Sequence, residues 1–564
     1  MRETSRQTGG DALAGQLARE GVEIVFAVPG VQLDWAIDGL RKISNRIALV
    51  GTRHEQATSY MADGYARASG KVGVCLVVPG PGVLNAMAGL STAYACNSRV
   101  LCIAGDIFSP TVGKGLGLLH EVRGQTGILA AVTKWQGRAT RAEDVPAIIS
   151  EAFAQLRSSE PKPVAVEISH DVLSAVAEVS LQETDLASNP LAPAPEQIAA
   201  AAKLLAASRT PVIYVGGGAL AANASDALAA FAERIQAPVI MGENGRGALS
   251  DRHPLALTAL EGRAVMPHAD LVFVVGSRFV DTAMGKAAWP SDATRYVYIN
   301  TDPAVVSAPR RADVFIQGDC RLALELLERA APQRPPLKMD LDAVRKWAAE
   351  QMREIEPQGV WLKALRRAIP DDGILVNELT QVGYFARIAY PVYQPNTFIT
   401  PGYQGTLGYG FPTALGAALG SNGRMVVSIN GDGGFGWNLQ ELATARKYNI
   451  PVAVVVFNDG HFGNVRRMQL DQFGQEYGVA LQNPHFDRLA SAFEIPYVST
   501  EDPAQLEKAL REHAGRGGPT LIEARVGAMP SPWHLLRLMP PPFAADRPAP
   551  ANPLGEPLPP HPAN

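Results

Sequence analysis

Short apolar runs alternate with amphipathic stretches along most of the chain, the rhythm of α/β domains built on parallel sheets. In the first third, apolar runs predict strands over 23–28, 72–78, 100–104 and 163–168, with helical patterns over 12–20 and 57–68 between them. Near 186–196 the pattern dissolves into the Pro- and Ala-rich stretch SNPLAPAPEQ, which reads as a linker. A second set of runs predicts strands over 211–215, 239–241, 271–275 and 296–299, and ends near APQRPPLKMD at 331–340. A third set predicts strands over 374–376, 425–429, 452–457 and 520–524. The expectation is an α/β protein of three tandem doubly wound parallel-sheet domains, over 1–185, 193–335 and 345–535, with a Pro-rich tail over 536–564. The first and third sets resemble one another in rhythm, though periodicity alone does not establish a repeat.

Composition narrows the class. A chain of 564 residues exceeds what one hydrophobic core organises. Its 47% hydrophobic and 19% charged residues are a globular balance, not a disordered one. A formal net charge of −4 with scattered Lys and Arg gives no reason to expect nucleic acid as a partner. The four cysteines, Cys75, Cys96, Cys102 and Cys320, show no CxxC spacing and read as buried thiols rather than a zinc or disulfide framework. The polar start, residues 1–10, lacks a signal-peptide core, and no apolar run is long enough to span a bilayer. A cytoplasmic protein without a membrane partner is expected.

The chemistry concentrates at 425–441, MVVSINGDGGFGWNLQE, an apolar strand running into a Gly-rich turn and a helix predicted over 437–447. Gly431, Gly433 and Gly436 match the dinucleotide fingerprint, so an NAD-dependent dehydrogenase is one reading. Asp432 argues against it, because a carboxylate inside the turn repels a pyrophosphate unless a metal ion stands between them. Asn458-Asp459-Gly460 ends the next predicted strand, and in a parallel sheet the two strand ends lie side by side at the carboxyl edge. Two acidic oxygens there, with a backbone carbonyl and diphosphate oxygens, suit an octahedral magnesium ion.

GDG, then 24 residues, then Asn-Asp resembles the motif of thiamine-diphosphate-dependent enzymes of the acetohydroxyacid synthase, pyruvate oxidase and 2-oxo acid decarboxylase type. The resemblance implies thiamine diphosphate and Mg2+ as cofactors. Asp432, Asp459 and the backbone oxygen of His461 would be the metal ligands, and Gly431, Asp432, Gly433, Gly434 and Asp459 the diphosphate site. Many members carry Asn where this chain has Asp459.

A second match lies at 53–90, where RHEQATSYMADGYARASG leads to the turn PGPGVLNAMAGL. It is similar to the family's pyrimidine-binding domain, and Glu55 takes the place of the carboxyl group that tunes the aminopyrimidine. The alternative for Glu55 is a helix-start glutamate favoured by the macrodipole. His54 would orient Glu55. Pro79 and Asn85 fit a turn closing over the ring, although Gly80 and Gly82 also suit a plain turn.

A third match, ITPGYQGTLGYGFPTALGAALG at 399–420, places Leu407 where the family props thiamine in its bent form, with Gly405 supplying a carbonyl. A packed leucine in a Gly-rich loop is the compatible alternative. Thr380 and Gln381, in NELTQ at 377–381, align with the segment that touches the diphosphate.

Taken together the resemblance covers residues 10–530 and is nearest to acetolactate synthase large-subunit-like proteins. It implies carbon–carbon bond formation or cleavage on a 2-oxo acid or related acyl donor. Acetolactate-type carboligation leads, with simple decarboxylation or 2-hydroxyacyl lyase chemistry beside it. His120, in GLGLLHEVRGQTG, is the candidate proton relay; a solvent-facing loop histidine is the alternative. Asp106 replaces a family glutamine and would alter pocket charge. Gly216–Gly218 and Arg278 carry no firm sign of flavin retention, so FAD is open but unsupported. A homodimer or homotetramer is implied, since in the family one subunit's pyrimidine half-site meets another's diphosphate half-site. A non-catalytic scaffold is the third reading, although none of the motifs is degraded.

Overall fold

The protein is described from a computed structural model covering residues 4–158, 160–184, 190–279, 293–307, 311–538 and 550–556. Each third builds one six-stranded, wholly parallel sheet flanked by helices. The first runs, in spatial order, Ala48–Gly51, Ile24–Ala27, Gly73–Val77, Val100–Asp106, Val164–Ser169 and Trp135–Ala139. The third runs Phe398–Ile399, Ile374–Asn377, Val426–Gly431, Val452–Asn458, Thr520–Arg525 and Tyr497–Thr500. Counted by order in the chain, both read 2-1-3-4-6-5, so the shared rhythm of the two domains is a shared topology. The central sheet reads 3-2-1-4-5-6, the order of dinucleotide-binding domains.

All twelve strands expected from apolar runs are present. They are the inner strands, covered on both faces, where every position must be apolar. Val452–Asn458 is buried along its first six residues, and Gly73–Val77 throughout. The strands without a sequence signal are edges. Trp135–Ala139 is only half-buried, while Ala256–Leu257 and Phe398–Ile399 are two residues each. A short hairpin-like pair, Thr4–Thr8 with Val176–Ser180, adds an antiparallel ribbon to the first domain.

First and third domains share a core. Phe26, Tyr60, Met61 and Val77 pack in one cluster with Ile374, Phe411, Val426 and Leu442. The joint is helix Glu55–Ser69 crossing helix Gly410–Gly420. The helices touch backbone to backbone: a Cβ on Gly64 would overlap the Thr413 carbonyl, and one on Gly416 the Met61 carbonyl. Glycine is required there for close approach.

Among the described residues no helix is long and apolar enough to cross a membrane. The linker at 186–196 falls partly outside the described residues, as does most of the Pro-rich tail. Within the tail, the described stretch 550–556 lies on the central domain. Asn552 donates to the Ala264 carbonyl at 3.0 Å, and Leu554 packs on that core.

Candidate active site

Strand Val426–Gly431 stops where its chain turns outward, and the helix begins at once, at Asp432. The single helix expected over 437–447 is not formed. Helix Asp432–Phe435, the 3-10 turn Leu439–Glu441 and helix Leu442–Lys447 replace it. The break is tied down by Asn438, which donates from its side chain to the Gly408 carbonyl at 2.7 Å. The Gly-rich amides therefore sit directly at the strand end rather than one turn beyond it.

At these carboxyl ends a cavity of about 390 Å³ opens. Thr380, Gln381, Gly405, Leu407, Gly431, Asp432, Gly433, Gly434, Asp459 and His461 all line it. Every residue the sequence assigned to the diphosphate, the metal and the prop thus faces one space. Val526 and Met529, in the loop that follows strand Thr520–Arg525, close it. Leu407 stands 41% exposed at its wall, an apolar side chain left uncovered by the protein itself.

The electrostatics are acidic. Asp432 is buried, and burial pushes its carboxyl up to about 6. The hydrogen bond from Asn483 and the amides of Gly433 and Gly460 oppose that, while the charge of Asp459 adds to it. Its Oδ2 accepts from Asn483 Nδ2 at 2.6 Å and from Gly460 N at 3.0 Å. Burial also raises Asp459, whose Oδ1 accepts from His461 N at 3.0 Å. Neither carboxylate forms an ion pair among the described residues. The His461 ring is engaged through Nδ1 with the Asp459 carbonyl at 2.8 Å.

Between the cavity's two glycine-rich walls lies Glu378, 2% exposed. Its Oε1 accepts from Gly408 N at 3.0 Å, and among the described residues its Oε2 has no hydrogen-bond partner. Burial drives this carboxyl up to about 8 against the amides of Gly408 and Gly410. Burial therefore favours the protonated form of Glu378.

The other predicted residues gather elsewhere. Glu55 opens helix Glu55–Ser69, and its Oε2 accepts from Asn85 Nδ2 at 3.0 Å. The chain before it is gripped by buried Glu441, whose carboxylate accepts from Arg53 N and His54 N at 3.1 Å. His54 does not orient Glu55 through its ring; its Nδ1 caps the helix by accepting from Gln56 N. Pro79 is buried in the neighbouring turn. Gly80 there has φ +58°, and a Cβ would overlap the His120 carbonyl, so only glycine fits. That contact brings His120 to the Glu55 side of the domain, with Nδ1 paired to Gln32 Oε1 at 3.1 Å. Asp106 adds no free charge to a pocket: it is buried, with Oδ2 held by Arg138 at 2.5 Å.

None of Glu55, Pro79, Asn85 and His120 lines the 390 Å³ cavity of the same chain. A thread connects the two places, Tyr60 donating to Thr406 Oγ1 at 2.8 Å beside Leu407. Three residues went unrecognised in the sequence: Glu378, Glu441 and Asn483. Only Glu378 had a signal, its place beside Thr380 in NELTQ.

The fingerprint reading of GDGGFG fails on topology, since that turn belongs to the sheet ordered 2-1-3-4-6-5. Comparison with known proteins agrees. Residues 7–128 match the N-terminal TPP binding domain of thiamine pyrophosphate enzymes, 198–327 their central domain, and 380–524 their C-terminal TPP binding domain. The chain is 36% identical to a probable 2-ketoarginine decarboxylase of Pseudomonas aeruginosa, over 92% of this chain and 94% of that protein. It is 32% identical to the acetolactate synthase isozyme 3 large subunit of Escherichia coli, covering 90% and 92%. A probable acetolactate synthase large subunit of Methanocaldococcus jannaschii is 30% identical, covering 94% and 93%.

Proposed function

The chain belongs to the thiamine pyrophosphate enzyme family, and we propose that it decarboxylates a 2-oxo acid and joins the remaining acyl unit to a second carbonyl compound, as an acetolactate-synthase-like carboligase. The observation that carries this reading is the single cavity in which Thr380, Gln381, Gly405, Leu407, the 431–434 turn, Asp459 and His461 meet. When bound, thiamine diphosphate supplies the carbanion-stabilising chemistry. The chain's own residues bind, orient and move protons.

The donor set fits a magnesium diphosphate. Asp432, buried, and Asp459, half-buried, present two carboxylates without an ion pair among the described residues, and the charge of Asp459 raises Asp432, a repulsion that a divalent ion relieves. Among the described residues no cluster of three or more His, Cys, Asp or Glu side chains is present. An ion at this place thus takes two side chains, the His461 carbonyl and ligand oxygens, the oxygen-rich shell magnesium prefers. Amides of Gly433 and Gly434, with Thr380 and Gln381, would hold phosphate oxygens. Leu407 would wedge beneath the cofactor, and Gly405 would accept from its amino group.

Glu55 would hold a proton at the pyrimidine nitrogen, its carboxyl steadied by Asn85. His120 would relay protons near the substrate. Because these residues lie outside the cavity of their own chain, we infer a homodimer or a homotetramer whose subunits complete one another's sites. Exposed Leu84, Leu116 and Leu119 beside Asn85 and His120 suit such a cover. Sedimentation at working concentration should give at least a dimer; a monomer fully active at that concentration contradicts the arrangement.

The 36% identity to a probable 2-ketoarginine decarboxylase favours a second reading, decarboxylation without ligation. A panel of 2-oxo acids, including 5-guanidino-2-oxopentanoate, tested with thiamine diphosphate and magnesium decides between them. Carbon dioxide with a condensed hydroxyketone product supports ligation. Carbon dioxide with the simple aldehyde supports decarboxylation, and no release from any donor sinks both.

A further inference from the structure

Gln125 opens helix Gln125–Ala130 and is 5% exposed, yet none of its side-chain hydrogen bonds serves that helix. Its Oε1 accepts from Gly80 N at 2.8 Å. Its Nε2 donates to the Gly105 carbonyl at 3.0 Å and to Glu167 Oε1 at 3.1 Å. Gly105 and Glu167 lie on neighbouring inner strands of the first sheet, Val100–Asp106 and Val164–Ser169. Glu167 is fixed in turn, since Arg138 pairs with it at 3.0 Å and also with Asp106, and Thr126 donates to its other oxygen. A backbone N–H can only donate and a carbonyl can only accept, so these partners dictate which end of the amide faces which.

The group that Gln125 grips belongs to the turn lying between the two catalytic candidates of this domain. Gly80 has φ +58°, and a Cβ there would overlap the His120 carbonyl. Two residues on, a Cβ at Gly82 would stand 3.6 Å from Glu55 Oε1. The turn thus touches the His120 main chain on one side and borders Glu55 on the other. Among the described residues Gln125 is the only side chain hydrogen-bonded to residues 79–82. His120 itself stands at φ +67°, a left-handed conformation that few side chains adopt, and Gln32 pairs with its ring and donates to the Leu119 carbonyl. Such a conformation persists only where its surroundings impose it. Here they are Gln32 and the Gly80 turn, and Gln125 ties that turn to the sheet.

We propose that Gln125 is a positioning residue for the reaction: by tying the Gly80 turn to the first sheet it sets the His120 main chain, and with it the place from which the imidazole relays a proton. This rests on the reading of His120 as the proton relay. A misplacement of about 1 Å can cost a reaction about a hundredfold, so the hold on one backbone amide is of a size that matters.

The test measures turnover of wild type, Gln125→Met, His120→Asn and the double variant with thiamine diphosphate and magnesium. It is read as carbon dioxide release from the 2-oxo acid panel, pyruvate and 5-guanidino-2-oxopentanoate among the donors. Methionine keeps the volume and loses every hydrogen bond, while asparagine tolerates the left-handed backbone at 120 without an ionisable group. Gln125→Met should lower turnover about tenfold or more in wild type. In His120→Asn it should cost no more than about twofold, because no relay is left to misplace. Thiamine diphosphate affinity should stay within about twofold throughout. A glutamine that only stabilises the fold would cost the same factor in both backgrounds, which overturns the proposal, as does undiminished turnover in Gln125→Met. Hydrogen exchange followed by mass spectrometry needs no substrate: segment 79–84 should exchange faster in Gln125→Met, with segments 374–381 and 426–435 unchanged. Gln125→Asn, a methylene shorter, breaks the same span should the methionine variant not fold. Unchanged exchange over 79–84 also overturns the proposal. If His120→Asn keeps wild-type turnover, the relay reading itself falls; equal factors with a costly His120→Asn remove only the positioning role, so the two failures are distinct.

Discussion

The first and third domains share a strand order yet finish their sites differently. At the third sheet's carboxyl edge, loops 377–381, 405–410, 431–436 and 458–464 close around a cavity within one chain. At the first sheet's, Glu55, Asn85 and His120 stand at a surface flanked by exposed leucines. The third domain's residues are held by buried or half-buried polar contacts, such as Gly408 to Glu378 and Asn483 to Asp432. Among the described residues the Glu55 side chain has one hydrogen-bond partner, the exposed Asn85. A common scaffold thus yields one half-site that is structurally complete and one that awaits a cover. Binding should be governed by the third domain and turnover by the first.

That division can be broken by mutation. The largest effect should come from Glu55→Gln, with turnover falling by roughly 10²–10⁴, the range of acid–base contributions. Its affinity for thiamine diphosphate should stay within a few-fold. A parallel collapse of affinity in calorimetry would end the division of labour. Asp432→Ala should do the reverse, weakening magnesium-dependent cofactor binding beyond the roughly hundredfold that outer-shell changes cost.

Supporting residues should show the same split at lower amplitude. Asn483→Ala, which strips Asp432 of its 2.6 Å donor, should weaken magnesium binding about tenfold. Asn85→Ala should lower turnover while leaving binding unchanged, measured in the same two assays. If Asn85→Ala costs affinity and Asn483→Ala only turnover, the assignment of the halves is inverted.

The smallest expected effect sharpens the electrostatics of the third domain. Burial raises Glu378 to about 8 from an ordinary 4.5, so the native state binds its proton more tightly than the unfolded chain. Stability from this group is full below about pH 4.5 and is lost as pH rises through about 8. Denaturant titrations of the empty protein from pH 5 to 9 should show wild type losing stability relative to Glu378→Gln. A constant difference across that window would mean Glu378 is not a neutral acid. His513 works in the opposite direction: burial lowers it to about 4, so its contribution is present above about 6.5 and lost on acidification.

The inner strands and the cofactor motifs were legible because each is local. A doubly covered strand must be apolar at every position, and GDG…ND places two acids at adjacent strand ends by counting residues. The edge strands carried no such demand. Neither did Glu441 or Asn483, whose partners lie 387 and 51 residues away. The helix expected over 437–447 shows the limit from the other side, since a distant glycine carbonyl, Gly408, breaks it at Asn438.

The amino-acid order by itself determined three parallel-sheet domains, the carboxylate pair at 432 and 459, and the segment around Glu55. The first two follow from periodicity and from spacing within single βαβ units, the third from the resemblance of residues 53–90 to the family's pattern. Only the tertiary structure decided that the third domain's residues share one cavity, that Glu55 stands outside it, and that burial raises Glu378. Burial, desolvation and the pairing of polar atoms depend on what the rest of the chain brings alongside, and no local stretch of sequence encodes that.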